Sequence, residues 1–289
     1  MGWLRRILYK NRKYYDDDFD WDNYTQDSYE RRITTDIEPN FRTLSERGHL
    51  QFDKAAGSVI SKEAPLHPNH QTILEAIGQL DVESVHEVGC GGGDHVANAQ
   101  LLFPDIHVSG SDRGKTQLEL ACRRHPGMAD RFSLQDITMP LSKAWPRADL
   151  IYSQAVLMHI HTAVSHFVGL ANMVALSRRY VLLMENLQCH NFVSDLRALH
   201  QGGHLAWDDL HIHCFDGSTG ARAILLSKTP LDLPVLTSDA ECRAGVQPSA
   251  RRLKRSDDDS GRGTFGFQTP GKATAGPVQS ASAPAPKEP

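Results

Sequence analysis

The amino-acid sequence predicts an α/β fold in which a parallel sheet is covered by helices on both faces. Strand-like and helix-like runs alternate between residues 84 and 201, and a glycine-rich turn follows the first of these strands. Such alternation indicates a parallel sheet, because each parallel connection needs a crossover that is usually helical. Two later strand-like runs, joined by the turn-forming segment 216–220, predict a closing antiparallel hairpin.

The individual elements follow from apolar periodicity and turn signals. A helix that opens at Pro68 has apolar residues at intervals of three and four positions. Further helices are predicted to begin near Asp94, Gly114, Ala163 and Phe192. Strands are predicted at Ser84–Val88, His107–Ser111, Arg131–Gln135, Asp149–Ser153, Tyr180–Glu185, His211–Phe215 and Ala221–Ser227.

Composition divides the 289 residues into three parts, 1–64, 65–228 and 229–289. Acidic and aromatic residues are interleaved between positions 14 and 30, and aromatic side chains at that density usually pack on something. We therefore expect 1–64 to be an N-terminal extension that could cover an active site. The middle part has the size of one catalytic domain. From residue 229 apolar periodicity fades, and a composition rich in Pro, Ala, Ser and Gly predicts a disordered tail.

Bulk properties narrow the class of protein. No stretch approaches the roughly 18 apolar residues of a membrane span, and no secretory signal pattern is present, so we expect a cytoplasmic protein. Residues 1–13 carry five Lys or Arg and no acid, which could give peripheral contact with the inner face of a membrane; a loosely docked terminal helix is the alternative. The net charge of -4 creates no global field that attracts nucleic acid. Metal binding is not expected, because no C-x-x-C pair occurs and no acidic ligands cluster beside His211 and His213.

The glycine-rich turn contains Gly89, Gly91 and Gly93, directly after the strand Ser84–Val88. Glycines let the backbone bend tightly and approach a ligand without interference from Cβ atoms. Such a turn by itself also fits a dinucleotide site or simple structural punctuation. Glu87 places a carboxylate just before the turn, where it would favour an ammonium group and gain nothing from a diphosphate.

Acidic residues end the next two strands. Asp112 comes about 20 residues after the glycines, where a carboxylate can accept both hydroxyls of a ribose; capping the next helix is the alternative. Asp136 could accept from an adenine amino group while Ile137 covers the ring, or it could simply form a turn. Arg113 and Ser153, at the ends of the second and fourth strands, complete the predicted cofactor-binding residues.

These segments, in this order, resemble the class I S-adenosylmethionine-dependent methyltransferases over about residues 65–228. The resemblance implies a Rossmann-like sheet of seven strands in the order 3-2-1-4-5-7-6, with strand 7 antiparallel, helices on both faces and S-adenosylmethionine as cofactor. A nicotinamide dehydrogenase would normally have G-x-G-x-x-G, whereas here the third glycine comes one residue earlier.

The fourth-strand segment 153–160 resembles the small-molecule branch of these enzymes, of the type 11, 12 or 25 methyltransferases. It lacks the Asn/Asp-Pro-Pro-aromatic signature of enzymes that methylate DNA bases or protein amides. The resemblance implies O- or N-methylation of a small molecule, a sugar or a lipid-linked glycan, with nucleic acid disfavoured. His159 and His161 follow this strand, and either could deprotonate a hydroxyl or an amine. Glu185 and Asn186 end the fifth strand on the same rim, where substrate contact and helix capping both stay open.

Two other functions stay open. An RNA methyltransferase would use the basic residues of the N-terminal segment and of the tail as phosphate contacts. A non-catalytic regulatory protein would keep the fold and bind S-adenosylmethionine without transferring its methyl group.

Overall fold

The structure, a computed structural model, describes residues 21–26, 49–62, 66–160 and 165–246. His161, the basic segment 1–13 and the chain from residue 247 onward lie outside these ranges. The strands are β1 (Leu50–Asp53), β2 (Ser58–Ser61), β3 (Ser84–Val88), β4 (His107–Asp112), β5 (Phe132–Leu134), β6 (Ala148–Gln154), β7 (Ser177–Met184), β8 (His211–Asp216) and β9 (Arg222–Ser227). The helices are α1 (Trp21–Tyr24), α2 (Pro68–Gln79), α3 (Asp94–Leu102), α4 (Lys115–Arg124), α5 (Ser165–Leu176), α6 (Phe192–Gln201) and α7 (Asp239–Arg243), with 3₁₀ turns at Pro126–Arg131 and Leu157–His159.

Within the described ranges, seven strands form one sheet in the order β5-β4-β3-β6-β7-β9-β8. The strands from β5 to β7 pair in parallel, whereas β9 is antiparallel to both β7 and β8. Counted with β3 as the first strand, the order is 3-2-1-4-5-7-6 and the seventh strand is antiparallel. The predicted α/β, Rossmann-like fold is confirmed.

The central strands are buried on both faces, because their side chains alternate between two cores. In β6, Leu150 and Tyr152 pack with α2, α3 and the hairpin β1–β2, whereas Ile151 packs with α5 and α6 on the other face. Burial on both faces holds the strands firmly, and their carboxyl ends form the edge on which the candidate site is built.

The hairpin β1–β2 belongs to the packed domain although it precedes residue 65, where the sequence predicts that domain to begin. Leu50 and Val59 are buried in the same core as α2. The buried carboxylate of Glu75 accepts from the backbone N–H of Val59 at 3.2 Å and from that of Ser218 at 2.8 Å. One side chain of α2 therefore connects the hairpin to the turn between β8 and β9.

The packed domain also continues beyond Lys228. Leu236 and Cys242 are buried in the core under α6, and α7 begins at an N-cap where Ser238 Oγ accepts from the N–H of Glu241 at 3.2 Å. The predicted disordered tail is therefore wrong for residues 229–246, because two apolar side chains and a capped helix dock this segment. Among the described helices, none combines the length and the apolar character that a bilayer crossing requires.

Candidate active site

A cleft of about 280 Å³ opens at the carboxyl ends of β3, β4, β5 and β6. Such an edge is where open α/β sheets place their ligands, because the loops that follow neighbouring strands diverge there. We call the part lined by Gly89, Gly91, Asp112 and Gln135 the turn half. The part lined by residues 154–156, 159 and 160, together with Trp21 and Tyr24 of α1, is called the loop half.

The glycine turn has a backbone that only glycine adopts easily. Gly89 has a φ of +74°, and a Cβ added there would lie 2.3 Å from Cγ2 of Val156. The N–H groups of Gly89 and Cys90 both donate to the carbonyl of Ser111, at 2.7 and 2.9 Å. The turn is therefore closed against β4 on one side and against the loop half on the other. Gly93 caps α3 and does not line the cleft.

Asp112 supports the turn and also lines the cleft. Its Oδ2 accepts from the N–H of Gly91 at 3.0 Å, and its Oδ1 accepts from the N–H of Gly114 at 2.7 Å. Each carboxylate oxygen can accept about two hydrogen bonds, so both oxygens keep capacity for a ligand. Burial raises the pKa of Asp112 to about 6, against the lowering effect of the two backbone bonds. Asp112 can thus hold the start of α4 through Gly114 and face a ligand in the cleft at the same time.

Glu87 lies beneath the turn and not in the cleft, because only 1% of the residue is exposed. Its Oε1 is 3.0 Å from Nδ1 of His95, and His95 itself lines the cleft. Its Oε2 makes no hydrogen bond with any residue in the described ranges. Burial raises the pKa of Tyr152 well above its ordinary value, and the neighbouring Glu87 carboxylate adds to this. Glu87 therefore supplies negative charge behind His95 and does not itself touch the cleft.

Asp136 lines the cleft but is already used in a turn. Its Oδ1 accepts from the N–H of Thr138 at 3.0 Å and from the hydroxyl of Thr138 at 2.7 Å. Its Oδ2 lies 3.8 Å from Nε of Arg113. Ile137, which follows, is buried and lines the same side of the cleft. Asp136 therefore forms a turn, as the alternative interpretation predicted, and its Oδ2 has fewer hydrogen-bond partners than its Oδ1.

Two buried amides in the turn half are not among the predicted cofactor-binding residues. Gln117 and Gln135 are only 3% and 4% exposed, and both line the cleft. Oε1 of Gln117 and both amide atoms of Gln135 make no hydrogen bond within the described ranges. The nearby Gln135 amide raises the pKa of His86, although burial has the larger effect and lowers that pKa to about 4. Gln117 had a signal in the sequence, because a polar residue shares the buried face of α4 with Leu120.

The sequence predicts that Ser153 binds the cofactor, but the chain around the end of β6 presents other residues to the cleft. Ser153 is fully buried and does not line the cleft, because its hydroxyl donates to Oε1 of Glu185 at 2.7 Å. Gln154, Ala155 and Val156 line the cleft in its place. Ala155 has a φ of 55°, which is unusual for a residue other than glycine.

His159 lines the far end of the loop half, on the 3₁₀ turn Leu157–His159. The Trp21 ring lies edge-on to it, with 6.1 Å between ring centroids, and Tyr24 lies 5.8 Å from Trp21 in the same arrangement. The structure thus brings His159 together with the aromatic residues of the N-terminal extension. It does not describe His161, whose predicted role stays a prediction.

Comparison with protein-family models and with curated proteins finds no match. Solved structures do resemble this chain, and several of those similar proteins are methyltransferases. An amino pentose methyltransferase of calicheamicin biosynthesis from Micromonospora echinaspora, with S-adenosylmethionine bound, has a TM-score of 0.37 and 22% identity, covering 43% of this chain and 52% of that one. This chain therefore spans about half the length of that first structure.

Two further structures are similar at lower identity. Magnesium protoporphyrin IX methyltransferase from Synechocystis PCC 6803, with S-adenosylmethionine bound, has a TM-score of 0.42 and 16% identity, covering 72% of this chain and 95% of that one. Phosphoethanolamine N-methyltransferase 1 from Haemonchus contortus, in complex with phosphoethanolamine and S-adenosylhomocysteine, has a TM-score of 0.40 and 14% identity, covering 61% and 45%.

Proposed function

We propose that this chain is an S-adenosylmethionine-dependent methyltransferase that acts on a small-molecule acceptor. One observation supports this function above the others: the buried carboxylate of Asp112 stands beside the glycine turn with acceptor capacity left on both oxygens. A ribose presents two neighbouring hydroxyl donors, and a single carboxylate can accept from both. The same carboxylate holds Gly91, so binding of the ribose and the shape of the turn depend on one residue.

The charges around the turn favour a cationic ligand over a dinucleotide. Glu87 lies directly beneath the turn, and Asp94 is buried in the first turn of α3, the helix whose amino end would have to receive a diphosphate. Arg124 pairs with Asp94 at 2.6 Å and thus offsets one of these charges. The remaining negative charge repels a diphosphate and attracts the ammonium and sulfonium groups of S-adenosylmethionine.

The amides of the turn half suit an adenine base. A glutamine amide offers a donor and an acceptor side by side, which matches the ring nitrogens and the amino group on an adenine edge. Gln135 presents its amide beside His86, and Gln117 has an acceptor that is unused within the described ranges. We assign Ile137 to cover the ring, and we assign Oδ2 of Asp136 as a further acceptor for the amino group.

His159 is proposed as the residue that receives the acceptor's proton. S-adenosylmethionine supplies an electrophilic methyl group on a sulfonium, so the protein needs to align the acceptor and remove a proton. With S-adenosylmethionine bound, the acceptor oxygen or nitrogen would form the new bond to the methyl carbon as the carbon–sulfur bond breaks, with the electron pair kept on sulfur. The proton of the hydroxyl or amine passes to the His159 imidazole.

The loop half indicates which acceptors fit. Trp21, Tyr24 and Ile160 give it flat and apolar walls, and Gln154 and His159 give it polar groups. Among the described residues that line this half, none is Lys, Arg, Asp or Glu. This favours a neutral acceptor, such as an aromatic hydroxyl compound or a sugar ring, over a phosphorylated one. An RNA acceptor would need cationic phosphate contacts.

The first experiment is calorimetry with S-adenosylmethionine and S-adenosylhomocysteine. We expect dissociation constants on the order of 1–100 μM and no binding of NAD at the same concentrations. NAD binding, or the absence of adenosyl ligand binding, would contradict the cofactor assignment.

The second experiment identifies the acceptor. Purified protein is incubated with labelled methyl donor and fractionated cell extract, and label is followed into small molecules, lipids, glycans and RNA. We expect label in a neutral small molecule or sugar, and a rate about 100-fold lower for His159→Ala because a general base contributes roughly that factor. Label in RNA would favour the alternative acceptor, and cofactor binding without any labelled product would favour the regulatory protein.

A further inference from the structure

Glu185 is a buried carboxylate with an unusually full set of hydrogen-bond donors. It directly follows β7, and its Oε1 accepts from the hydroxyl of Ser153 at 2.7 Å. Three consecutive backbone N–H groups also donate to it, with shortest distances of 3.1 Å for Val156, 3.2 Å for Leu157 and 3.0 Å for Met158. One carboxylate from the neighbouring strand therefore holds the whole start of the loop that follows β6.

The convergence of these donors accounts for the strained backbone of the loop. Ala155 has a φ of 55°, and this conformation turns the N–H groups that follow it toward one point. Left-handed backbone at a residue other than glycine is unfavourable and persists only where surrounding contacts require it. Hydrogen bonds to a carboxylate are stronger than those between neutral groups, so this set of four donors can maintain the strain.

The anchored loop touches both halves of the cleft. The Val156 side chain fills the space beside Gly89 that the Cβ of any other residue at position 89 would need. The carbonyl of Val156 accepts from the N–H of His159 at 3.0 Å, which fixes the 3₁₀ turn that carries the imidazole. Movement of Val156 would therefore shift the glycine turn and His159 together.

We propose that Glu185 is a positioning residue, which sets Val156 against the glycine turn and the His159 ring in the cleft through its hydrogen bonds to the loop. It does not touch the cleft itself. The inference rests on the proposed function, because it concerns the alignment of cofactor and acceptor in the same site. Burial raises the pKa of Glu185, whereas its hydrogen bonds to the Ser153 hydroxyl and the loop lower it.

The test compares wild type, Glu185→Gln and Glu75→Gln. Both variants place an amide at a buried carboxylate that accepts from backbone N–H groups, but the backbone donors to Glu75, Val59 and Ser218, do not line the cleft. In E185Q the amide NH₂ would face N–H donors, so we expect hydrogen exchange at residues 156–158 to accelerate at least about tenfold. In E75Q we expect a lower unfolding temperature with wild-type exchange at 156–158.

Activity separates positioning from mere stability. In E185Q we expect kcat for methyl transfer to fall about 10- to 100-fold, because a displacement near 1 Å has an effect of that size. The dissociation constant for S-adenosylhomocysteine should rise less than about 5-fold, because Asp112 is untouched. In E75Q the kcat of the folded protein should equal that of wild type.

Three results would overturn the positioning role. Unchanged exchange at 156–158 in E185Q would show that the carboxylate does not hold the loop. Faster exchange with wild-type kcat would show that the loop position does not matter to transfer. An equal loss of kcat in E75Q would show a general effect of destabilisation. If wild-type protein binds no adenosyl ligand, the proposed function fails, while exchange in E185Q still decides whether Glu185 anchors the loop.

Discussion

The two halves of the cleft are held in place by different means. In the turn half, Gly89, Gly91 and Asp112 are joined by hydrogen bonds among the ends of β3 and β4, two adjacent strands of the buried sheet. In the loop half, His159 lies on a loop that is held by the carboxylate of Glu185, at the end of β7. Trp21, which packs against His159, comes from a short helix far away in the chain. The first half is part of the sheet, and the second is attached to it.

This difference matches the division of labour that we propose. A cofactor that is the same in every reaction needs a site fixed by strand register, which changes little without loss of the fold. An acceptor that differs between enzymes is better served by loops and appended segments, which can vary while the sheet stays intact. Substitutions in the turn half should therefore act on cofactor binding, and those at the rim of the loop half on acceptor use.

The largest effect is expected for Asp112→Ala. The variant removes the proposed acceptor for the ribose hydroxyls and the observed acceptor for the Gly91 N–H, and two bonds to a charged group correspond to roughly a 10²- to 10³-fold loss of affinity. Calorimetry with S-adenosylhomocysteine measures this loss directly. Unchanged affinity would remove Asp112 from the turn half's function.

Asp149→Asn is the matched control for that measurement. Asp149 lies near the start of β6, at the amino ends of the parallel strands and away from the cleft. There its Oδ2 accepts from the N–H groups of Glu83 and Ser84. We expect lower stability in thermal unfolding and wild-type affinity for the cofactor. A loss of affinity like that of Asp112→Ala would mean that any carboxylate hydrogen-bonded to the sheet backbone has this effect.

The next largest effect is expected for Gly89→Ala, which acts where the two halves meet. Alanine would have to adopt the unfavourable φ of +74° at position 89, and its Cβ would lie 2.3 Å from Cγ2 of Val156. We expect the free energy of unfolding to fall by about 2 kcal/mol and the cofactor affinity to fall about tenfold. The double variant with Val156→Ala removes the clash but keeps the strain, so stability should recover in part. No recovery would show that the clash is relieved elsewhere and that the halves are independent.

Much of the sheet could be predicted from the sequence, because each strand has a local signal. The run Ser84–Val88 has valine at its second and last positions and is followed by glycine, and its bounds are observed as predicted. The hairpin β1–β2 was not predicted, since its strands are only four residues long and their burial depends on α2. The five-residue α7 was hidden for the same reason, as it is too short to show periodicity.

The site was predictable only where it coincides with strand ends. Asp112 ends β4 and Asp136 follows β5, and parallel strands bring their carboxyl ends to one edge, so the convergence of these residues follows from the fold. Glu185 was expected on the rim, but its side chain turns inward to the loop because that loop offers unpaired N–H groups. Which aromatic side chain would meet His159 depends on docking of a distant segment, and no local pattern contains that information.

The pH dependence of cofactor affinity tests the turn half alone. The pKa of Asp112 is about 6 in the folded protein and 3.8 ordinarily, so the folded state takes up a proton first as pH falls. The ligand-free protein therefore gains stability between pH 6 and 3.8, while the carboxylate that accepts the ribose is lost. We expect affinity to fall about tenfold per pH unit below pH 6. Calorimetry between pH 5 and 8 measures this dependence. The Asp112→Asn variant should bind the cofactor more weakly, with an affinity that does not change with pH. The same pH dependence in that variant would mean that another group causes it.

The smallest effect on the cofactor is expected for Trp21→Ala, which acts on the rim of the loop half. The Trp21 ring contacts His159 and Tyr24 and forms part of the acceptor wall. An aromatic contact contributes about 1 kcal/mol, so the KM for the acceptor should rise roughly fivefold. The dissociation constant for S-adenosylhomocysteine should stay within about twofold, because the N–H groups of Gly89, Cys90 and Gly91 all donate to β4. Trp21→Phe should restore most of the KM. If cofactor affinity falls together with acceptor use, α1 closes over both halves, and the separation between a fixed cofactor site and an attached acceptor site would not hold.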